Sequence, residues 1–265
     1  MKQNNLLDLS GKTVVLTGGA GFLGSIYAHS FLKSGANLVL GDIDIIKCKK
    51  FFNSLDKQSK EKCLPLKLDV TDKKSIRNLT LKALKKFGKI DVLINNAVDQ
   101  GTKSLRKTNF ENFPLSEWNK ELSVNLTGVF LCCQEIGKIM KKQKNGVILN
   151  ISSIYGNVAP DPRIYKNNGL TPTISYSVTK GGIISLTKYL AAYWNNSGIR
   201  VNALTLGGVK NDQNKEFIKK YSSKTMIGRM ANDDEFVGIL LFMSSDVSSY
   251  MTGSNVIVDG GWTAW

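Results

Sequence analysis

The chain has 265 residues, of which 42% are hydrophobic and 22% are charged, and its formal net charge is +15. This length and balance are typical of one globular α/β domain with a sizeable core. No apolar run approaches membrane-spanning length and the N-terminus opens no signal peptide, so we expect a cytoplasmic protein with no membrane partner. No basic stretch is interleaved with aromatic residues, which favours a general lysine excess over a nucleic-acid-binding surface. Attraction to a phosphorylated substrate is the alternative meaning of the charge.

The cysteines and the one histidine offer no metal or disulfide pattern. Cys48, Cys63, Cys132 and Cys133 form no Cys-x-x-Cys pair, and the adjacent two lie in a helical pattern as small core residues. A catalytic triad built on histidine would have to use His29, which we interpret as a partly exposed helix residue. We therefore predict neither a metal site nor a disulfide framework.

A strand, a turn, a helix and a second strand open the chain in that order. Residues 12–17 have the pattern of a buried strand, residues 18–24 are glycine-rich, and residues 25–33 have helical periodicity. Residues 37–41 form the next strand pattern, which ends at Asp42. This order predicts a β-α-β unit whose first turn is glycine-rich.

The glycine spacing and the terminal acid predict a dinucleotide site. Gly18, Gly21 and Gly24 supply the tight turn, the close backbone approach and the helix–strand packing that a pyrophosphate needs. The helix N-terminus adds amide donors and a positive dipole for the phosphates. Asp42 stands where a carboxylate binds an adenosine ribose and repels a 2′-phosphate, so we predict NAD(H) rather than NADP(H). A purely structural glycine turn would leave Asp42 unexplained.

Strand and helix patterns continue to alternate along the rest of the chain. Further strands are predicted at residues 63–68, 91–94, 146–151, 199–204 and 255–258, and further helices at 73–87, 117–142, 175–195 and 233–244. The alternation predicts an α/β fold, a single Rossmann domain over residues 1–265 with a doubly wound parallel sheet of about seven strands and helices on both faces. Ligands bind at the carboxyl ends of such strands, so one rim should be lined by Gly18, Asp42, Asp69, Asn95, Ser153 and Gly207.

Tyr176 and Lys180 form the candidate catalytic pair. They are four residues apart in a helical pattern, so the phenol and the ammonium lie on one side of the helix. A nearby cation favours phenolate, which predicts a tyrosine pKa lowered toward neutrality and a group able to move a proton at an alcohol or carbonyl oxygen. Ser153, upstream, would help to position that oxygen. Many helices carry Tyr-x-x-x-Lys on a solvated face, so the motif gains its weight from the dinucleotide pattern that precedes it.

Taken together, these residues resemble the short-chain dehydrogenase/reductase family over nearly the whole chain. The resemblance rests on the glycine turn, Asp69-Val70, Asn95-Asn96-Ala97, Asn125, Ser153, Tyr176-x-x-x-Lys180 and Val258-Asp259-Gly260-Gly261. It implies that Tyr176 is the acid/base, that Lys180 lowers its pKa and holds the nicotinamide ribose, and that Ser153 binds the reacting oxygen. It also implies a relay water kept by Asn125, an adenine near Asp69 and an adenosine ribose near Asn95.

The resemblance gives a full set of expected site residues. The catalytic set is Asn125, Ser153, Tyr176 and Lys180. The cofactor set is Gly18, Gly21, Phe22, Leu23, Gly24, Asp42, Asp69, Val70, Asn95, Ala97, Tyr176, Lys180, Gly207 and Val209. Ser153 is preferred to Ser152 because the family places its serine directly before an x-x-Gly, here Ile154-Tyr155-Gly156. Val98 and Leu206 stand where the family usually has glycine and proline, and this departure concerns loop geometry.

The segment between Ser153 and Tyr176 is longer than is usual in the family, with twenty-two intervening residues. We expect residues 157–174 to form a substrate loop inside the domain, with Ser153, Arg163 and Tyr176 as substrate contacts. Arg163 offers a fork for phosphate or carboxylate, and residues 165–168 offer partners for hydroxyl groups. An anionic, hydroxyl-rich substrate follows from this interpretation, while a solvated surface loop is the alternative. The segment is similar to the flagellin modification protein A subgroup of surface-sugar oxidoreductases.

Three functions remain open at this stage. The favoured one is an NAD(H)-dependent oxidoreductase that interconverts a secondary alcohol and a ketone on a sugar or sugar phosphate. A 3-oxoacyl-thioester reductase would use the same catalytic set, but its usual cofactor is NADPH, against which Asp42 argues. A non-catalytic dinucleotide-binding regulator is compatible with the fold, although the complete catalytic set argues against it.

The resemblance also implies self-association, as a dimer or a homotetramer. Pairing would use the helices predicted at residues 117–142 and 175–195 and the last strand. The apolar end of the chain, residues 262–265, would also favour an interface over water.

Overall fold

The computed structural model describes residues 6–102, 104–165 and 172–265. Within these ranges the strands form one parallel, seven-stranded sheet in the order β3-β2-β1-β4-β5-β6-β7. Their bounds are Thr13–Thr17 (β1), Asn37–Asp42 (β2), Cys63–Lys67 (β3), Val92–Asn95 (β4), Gly146–Ser153 (β5), Ile199–Leu206 (β6) and Asn255–Val258 (β7). The predicted Rossmann fold with a doubly wound parallel sheet of about seven strands is therefore confirmed.

Helices connect the strands and cover both faces of the sheet. Their bounds are Phe22–Lys33 (α1), Ile45–Ser54 (α2), Lys57–Lys62 (α3), Lys73–Phe87 (α4), Leu115–Leu122 (α5), Gly128–Gln143 (α6), Pro162–Tyr165 (α7), Ile174–Tyr193 (α8), Lys215–Ser222 (α9) and Val237–Ser244 (α10). Short 3₁₀ helices lie at Leu105–Lys107, Phe110–Asn112, Ile154–Gly156 and Asp246–Ser248. In the part of the chain described, no helix is both long enough and apolar enough to cross a membrane.

The core is two apolar layers, one on each face of the sheet. β1 shows how one strand supplies both, because side chains alternate between the faces of a strand. Val14 and Leu16 pack into the layer that contains Phe31 of α1, and Val15 packs into the layer that contains Ile136 of α6. The strand is buried over its whole length, as expected for a parallel sheet covered on both sides.

Three predicted elements differ from those observed. A π-helical turn, Ser123–Thr127, interrupts the helix predicted at residues 117–142 and divides it into α5 and α6. The helix predicted at 233–244 begins only at Val237, because Glu235 forms a forked ion pair with Arg229 and accepts a hydrogen bond from Asn232 N within the preceding turns. The predicted insertion, residues 157–174, contains the one-turn helix α7, while residues 166–171, with Lys166, Asn167 and Asn168, lie outside the described residues.

The strand order fixes where a ligand can bind. β1 lies between β2 and β4, so the connections after β1 and β4 leave toward opposite sides of the sheet. A crevice opens at this switch point, beyond the carboxyl ends of the strands. The glycine turn, Asp42, Asn95 and Ser153 all stand at or directly after such strand ends.

Candidate active site

The turn after β1 requires glycine for its own geometry at two positions. Gly18 has a φ of +61°, and a Cβ at this residue would lie 2.7 Å from the Cα of Ala97. A Cβ at Gly24 would overlap the carbonyl oxygen of Gly18. A Cβ at Gly21, in contrast, would meet only Gly18 O, at 3.3 Å, and would otherwise enter open space. The turn is therefore packed behind Gly18 and Gly24 and open beside Gly21.

Among the residues that the structure describes, no side chain is hydrogen-bonded to the amide groups at the start of α1. Gly21 is the N-cap residue and provides no side-chain hydrogen bond. The amides of Phe22, Leu23 and Gly24 thus lie at the positive end of the helix dipole, where a phosphate group is stabilised. These amides and the open space beside Gly21 fit the pyrophosphate of a dinucleotide.

Asp42 ends β2 beside the same turn. Its Oδ2 accepts a hydrogen bond from Ala20 N at 3.0 Å, and its Oδ1 accepts one from Asp44 N at 3.0 Å. Both bonds hold the carboxylate at the rim of the crevice and leave each oxygen a further lone pair. Lys47, close by in sequence, lies 3.5 Å from the carboxylate of Asp44 in an ion pair.

Asp69 and Val70 follow β3 on the far side of β2. The Oδ1 of Asp69 accepts hydrogen bonds from the backbone N and the Oγ1 of Thr71, at 2.9 and 2.7 Å. Val70 is buried against α6, where a Cβ on Gly128 would be 2.7 Å from Val70 Cγ2. The pair therefore forms a closed end of the rim, and its contact with an adenine stays a prediction.

Asn95 and Asn96 have different roles at the end of β4. The side chain of Asn95 is buried between strands, and its Nδ2 donates to Asn150 Oδ1 at 2.8 Å. Asn96 Nδ2 donates to the carbonyl oxygens of Thr17 and Gly18, each at 3.1 Å, and Thr17 Oγ1 accepts from the amides of Asn96 and Ala97. Asn96, which the predicted cofactor set omits, is thus the residue that fixes the glycine turn to β4.

Gly207 and Val209 extend the rim beyond β6. Gly207 N donates to Val258 O at 2.8 Å, and a Cβ on Gly207 would lie 2.7 Å from the Cα of Asp259. Val209 forms an isolated parallel bridge with Ala231. Close backbone packing therefore sets the shape of this part of the crevice.

Ser153, Tyr176 and Lys180 come together at the end of β5. Ser153 is the last residue of β5, and its hydroxyl lies close enough to the phenol of Tyr176 on α8 to influence the pKa of that phenol. Lys180, one turn further along α8, is buried, and its Nζ lies 5.6 Å from the centre of the Tyr176 ring. The same Nζ donates to Ile151 O at 2.7 Å, and Ser152 Oγ donates to Lys180 O at 2.9 Å. β5 thus holds Lys180 through two hydrogen bonds and ends, at Ser153, beside Tyr176.

The pKa of Tyr176 is raised above its ordinary value, whereas the sequence predicted a lowered one. Burial raises the pKa of Tyr176, although the nearby hydroxyl of Ser153 and the charge of Arg106 lower it in part. Burial also lowers the pKa of Lys180 to about 8. Removal of the phenol from water outweighs the influences that lower its pKa, so the pKa of Tyr176 is not lowered toward neutrality, and the effect of Lys180 on it stays a prediction. Tyr176 therefore carries its proton at neutral pH.

The family follows from this geometry and from two sequence comparisons. A family model described as "Enoyl-(Acyl carrier protein) reductase" matches residues 20–263. Flagellin modification protein A of Campylobacter coli is 32% identical over 254 residues, which cover 96% of this chain and 99% of that protein. The chain belongs to the short-chain dehydrogenase/reductase family. The family resemblance inferred from the motifs is confirmed. The prediction that the chain is a nicotinamide-dependent oxidoreductase is confirmed as well.

A second relative has a different named activity. The 3-oxoacyl-(acyl-carrier-protein) reductase of Thermotoga maritima is 34% identical over 262 residues, which cover 96% of this chain and 99% of that protein. The two relatives are thus named for different processes, flagellin modification and the reduction of a 3-oxoacyl group on a carrier protein.

Two solved structures carry the two forms of the cofactor. A short-chain dehydrogenase from Leptospira borgpetersenii with bound NAD⁺ superposes with a TM-score of 0.87 at 35% identity, covering 99% of this chain and 97% of that one. A gluconate 5-dehydrogenase from Burkholderia cenocepacia in complex with NADP and tartrate superposes with a TM-score of 0.84 at 26% identity, covering 98% of both chains. This short-chain dehydrogenase/reductase therefore uses a nicotinamide dinucleotide, and the choice between NAD and NADP is not decided by its relatives.

Asn125 lies in the π-helical turn of this short-chain dehydrogenase/reductase and anchors the loop after β4. Its Nδ2 donates to Asp99 O, and its Oδ1 accepts from Asp99 N, both at 2.7 Å. The side-chain amide is thus occupied by the protein itself. The role of Asn125 in holding a relay water stays a prediction. Because the side-chain amide is engaged, that role would have to use the backbone groups of Asn125.

Further tyrosines surround Tyr176 in an aromatic cluster that the motif analysis missed. The hydroxyls of Tyr155 and Tyr165 are hydrogen-bonded to each other, and the Tyr221 hydroxyl accepts a hydrogen bond from Gly208 N. Burial raises the pKa of all three hydroxyls, so they stay neutral at physiological pH. Tyr155 stands in the segment Ser153-Ile154-Tyr155-Gly156, so its position two residues after the predicted catalytic serine was a usable signal.

Arg163 is already engaged by the protein. Its Nε and Nη2 bind the carboxylate of Asp161 at 2.9 and 2.8 Å, and its side chain is 78% exposed. Lys224 Nζ binds the same carboxylate at 2.8 Å, and both cations hold the pKa of Asp161 well below its ordinary value. Arg163 is therefore not a free anion-binding fork in this conformation, and its substrate contact stays a prediction.

The C-terminal tryptophans do not form one exposed apolar patch. Trp262 is buried and stacks on Tyr221 with ring centres 4.3 Å apart. Trp265 is 74% exposed, and its Nε1 donates to Lys224 O at 3.0 Å. The interface expected for residues 262–265 is therefore wrong for Trp262, which closes the aromatic cluster of its own chain.

Proposed function

We propose that the protein is an NAD(H)-dependent oxidoreductase that interconverts a secondary alcohol and a ketone on a sugar or sugar phosphate, in surface-glycan or flagellin-sugar biosynthesis. The observation that carries the proposal is the placement of Ser153, at the end of β5, beside Tyr176 and buried Lys180 of α8, at the rim that also holds the glycine turn. A binding protein of this fold would have no need of that arrangement, which argues against a non-catalytic regulator.

The proposed chemistry divides between three side chains. A nicotinamide bound at this rim would supply or accept the hydride. Ser153 Oγ holds the substrate oxygen, and the protonated Tyr176 donates its proton to that oxygen as a ketone becomes an alcohol. Lys180 Nζ uses one of its three donors on Ile151 O, which leaves two for the hydroxyls of a nicotinamide ribose. The reverse direction requires the phenolate and gains from a higher pH.

The preference for NAD(H) rests on Asp42. Its two oxygens are oriented by Ala20 N and Asp44 N and retain lone pairs for the ribose hydroxyls. A 2′-phosphate at the same place would meet the charge of the carboxylate. The other residues that we propose as cofactor contacts, from Gly18 to Val209 in the sequence, lie along the same rim of strand ends.

The proposed sugar substrate and the proposed cytoplasmic location are each supported by one observation. The Campylobacter coli relative is named for flagellin modification. Cys48, Cys63, Cys132 and Cys133 are all unpaired thiols, the state maintained in a reducing compartment.

A 3-oxoacyl-thioester reductase is the second candidate. The Thermotoga maritima relative is named for that activity, and a groove of about 210 Å³ near the start of α8 gives the candidate a structural basis. Its lining is apolar, as an acyl chain requires, and consists of Phe110, Phe113, Leu115, Trp118 and Ile174.

A substrate screen with both cofactors tests the proposal. Nicotinamide absorbance is followed with phosphorylated and nucleotide-linked sugars, and with acetoacetyl thioesters as the competing class. Turnover of a sugar alcohol or keto sugar with NAD(H) is the expected result. Faster turnover of the thioester with NADPH would favour the second candidate. Stoichiometric cofactor binding without turnover of either class would revive the regulator.

A further inference from the structure

The side chain of Tyr176 packs against the aromatic cluster, which is built from separate segments of the chain. Its aromatic members come from the segment after β5, the insertion, α9 and the segment after β7: Tyr155, Tyr165, Tyr221 and Trp262. Tyr176 itself is half-buried. The cluster therefore covers part of the phenol ring, and the rest of the ring stays accessible.

Tyr165 fixes the insertion within this cluster. Its hydroxyl is hydrogen-bonded to that of Tyr155, which stands two residues after Ser153. Its ring centre lies 5.5 Å from that of Phe217 on α9. The insertion is thus attached on one side to the strand end that carries Ser153 and on the other side to α9.

Tyr221 continues these contacts from α9 to the loop after β6. Its ring centre lies 5.9 Å from that of Phe217, and its hydroxyl accepts a hydrogen bond from Gly208 N. A Cβ on Gly208 would lie 2.6 Å from Tyr221 Cζ, so the ring rests directly on the backbone of the loop. Part of the Tyr221 ring is therefore fixed by the rim of the crevice.

Trp262 stacks on Tyr221 and completes the series of rings. The two ring centres are 4.3 Å apart, the ring planes differ by 25°, and Trp262 is buried. The carboxylate of Asp259 fixes the turn that carries Trp262, because it accepts hydrogen bonds from Gly261 N at 2.9 Å and from the N and Oγ1 of Thr263 at 2.9 and 2.7 Å. Stacked aromatic pairs gain stability beyond the area that they bury. One ring after β7 thus supports α9 and, through α9, the insertion beside Tyr176.

Trp262 carries no titratable group, whereas the segments around Tyr176 carry several. Those of the packed segments and of the loop after β4 are Lys180, Arg106, the hydroxyls of Tyr155, Tyr165 and Tyr221, and the charged Asp161, Arg163 and Asp259. Replacement of Trp262 leaves all of these in the chain. Truncation of a buried ring leaves a cavity, and water enters a cavity that polar groups line. The titration of Tyr176 therefore reports how well the cluster excludes water.

We propose that Trp262 is a positioning residue of the active site, which closes the aromatic cluster and thereby keeps the insertion packed against Tyr176. This inference rests on the proposed function and deepens it, because it makes the segment after β7 part of the wall that receives the substrate. Trp265 in the same segment is 74% exposed and has no place in the cluster. The two tryptophans therefore form a matched pair for a test.

The first test compares kcat/KM for the best substrate of the screen. Trp262→Ala should lower kcat/KM about tenfold or more, because the groups around the reacting oxygen lose their alignment. Trp262→Phe should restore most of the loss, since a phenyl ring still stacks on Tyr221. The controls are Trp265→Ala and Met140→Ala, which should stay within about twofold of wild type. Met140 is fully buried against Gly146 at the amino end of β5, so its variant reveals what a loss of stability alone does.

A value for Trp262→Ala within about twofold of wild type overturns the proposal, and so does an equal loss in Met140→Ala. Trp262→Leu takes the place of Trp262→Ala where the latter does not fold, because leucine preserves apolar volume and cannot stack. The same results are expected of it.

A second measurement needs no turnover and so separates this proposal from the proposed reaction. Tyrosine labelled at Cζ with the NMR-active carbon isotope is incorporated, and the Tyr176 resonance is assigned by its absence from Tyr176→Phe. A pH titration should give a lower midpoint for Tyr176 in Trp262→Ala than in wild type, because water that reaches the phenol stabilises the phenolate. Both controls should keep the wild-type midpoint. An unchanged midpoint in Trp262→Ala, or an equal fall in Met140→Ala, rejects the proposal, and this titration alone decides it if the screen finds no substrate.

Discussion

Lys180 is the residue whose charge state depends most on its surroundings. It is buried at 4% exposure, and its pKa falls to about 8 because the charged form is removed from water. In the unfolded chain the lysine titrates near its ordinary value of about 10.4. Between these two values the unfolded state binds more protons than the folded state, so stability from this group rises with pH.

This difference predicts a pH-dependent gap in the free energy of unfolding between wild type and Lys180→Met. As the pH is raised from 8 toward 10, wild type should gain about 1–3 kcal/mol relative to the variant. Denaturant unfolding of both proteins at several pH values measures the gap, and the difference cancels the titration of the buried tyrosines. A gap that stays constant or moves the other way would show that Lys180 is not desolvated.

Asp42 is the residue on which the proposed preference for NAD(H) depends. In that proposal, its removal eliminates the acceptor for the ribose hydroxyls and the charge that repels a 2′-phosphate. For Asp42→Ala we expect NADH affinity to fall about tenfold and the NADH-to-NADPH preference to narrow by at least that factor.

Asp44→Ala is the matched control for Asp42→Ala. Asp44 caps α2 through Ile46 N and Lys47 N, so its loss should reduce stability and leave the cofactor preference unchanged. Fluorescence titration of both variants and wild type with each cofactor measures the ratios. Tighter NADPH than NADH binding by wild type would contradict the role of Asp42.

Elements with strong end signals were predictable from sequence, and elements without them were not. α4 begins and ends where predicted because Asp72 caps its first turn and Gly88, at a φ of +78°, ends it. The π turn at Asn125 keeps the composition and apolar spacing of a helix, so sequence gives no sign of the break between α5 and α6. α3, with the sequence KQSKEK, has no buried residue and hence no apolar period to detect.

In the candidate site, too, some features were predictable from sequence and others were not. Residues at strand ends were placed correctly at one rim because parallel topology brings strand ends together. Which way a strand-end side chain points was not predictable, as the buried Asn95 and the glycine-turn partner Asn96 show.

At the scale of elements, Glu121 is the residue on which the start of α8 depends. Glu121→Ala leaves the hydroxyls of Thr173 and Ser175 without their acceptor, and the free energy of unfolding should fall by about 1–3 kcal/mol. We expect kcat to fall as well, with the NADH dissociation constant within about twofold of wild type.

Glu117→Ala, on the same helix α5, is the control. Its carboxylate pairs with Lys120 at 3.8 Å on the surface, and its loss should change stability by less than about 0.5 kcal/mol. Urea unfolding and initial rates measure the two effects. If the Glu121→Ala variant is as stable and as active as the control, Glu121 does not position the start of α8.

At the scale of the whole molecule, large apolar side chains are exposed on the two long helices α6 and α8, which supports the proposed self-association. On α6 and α8, Phe130, Val178, Tyr189 and Tyr193 are 45%, 44%, 67% and 63% exposed. We expect a dimer or homotetramer that buries these side chains, and a double variant Phe130→Glu, Tyr189→Glu should shift it toward monomer. Light scattering at micromolar concentration measures the mass. A stable wild-type monomer would contradict this assembly.

The central claim is that Tyr176 moves the proton in an alcohol–ketone interconversion. Tyr176→Phe preserves the ring and removes only the hydroxyl, so we expect kcat to fall about 10²- to 10⁴-fold with the cofactor still bound. Tyr189→Phe changes an exposed phenol on the same helix and should retain full activity. Steady-state turnover of both variants with the best substrate of the screen, read by nicotinamide absorbance, is the most direct measurement. A large loss confined to Tyr176→Phe is the predicted result, and near-wild-type turnover by that variant would contradict the mechanism.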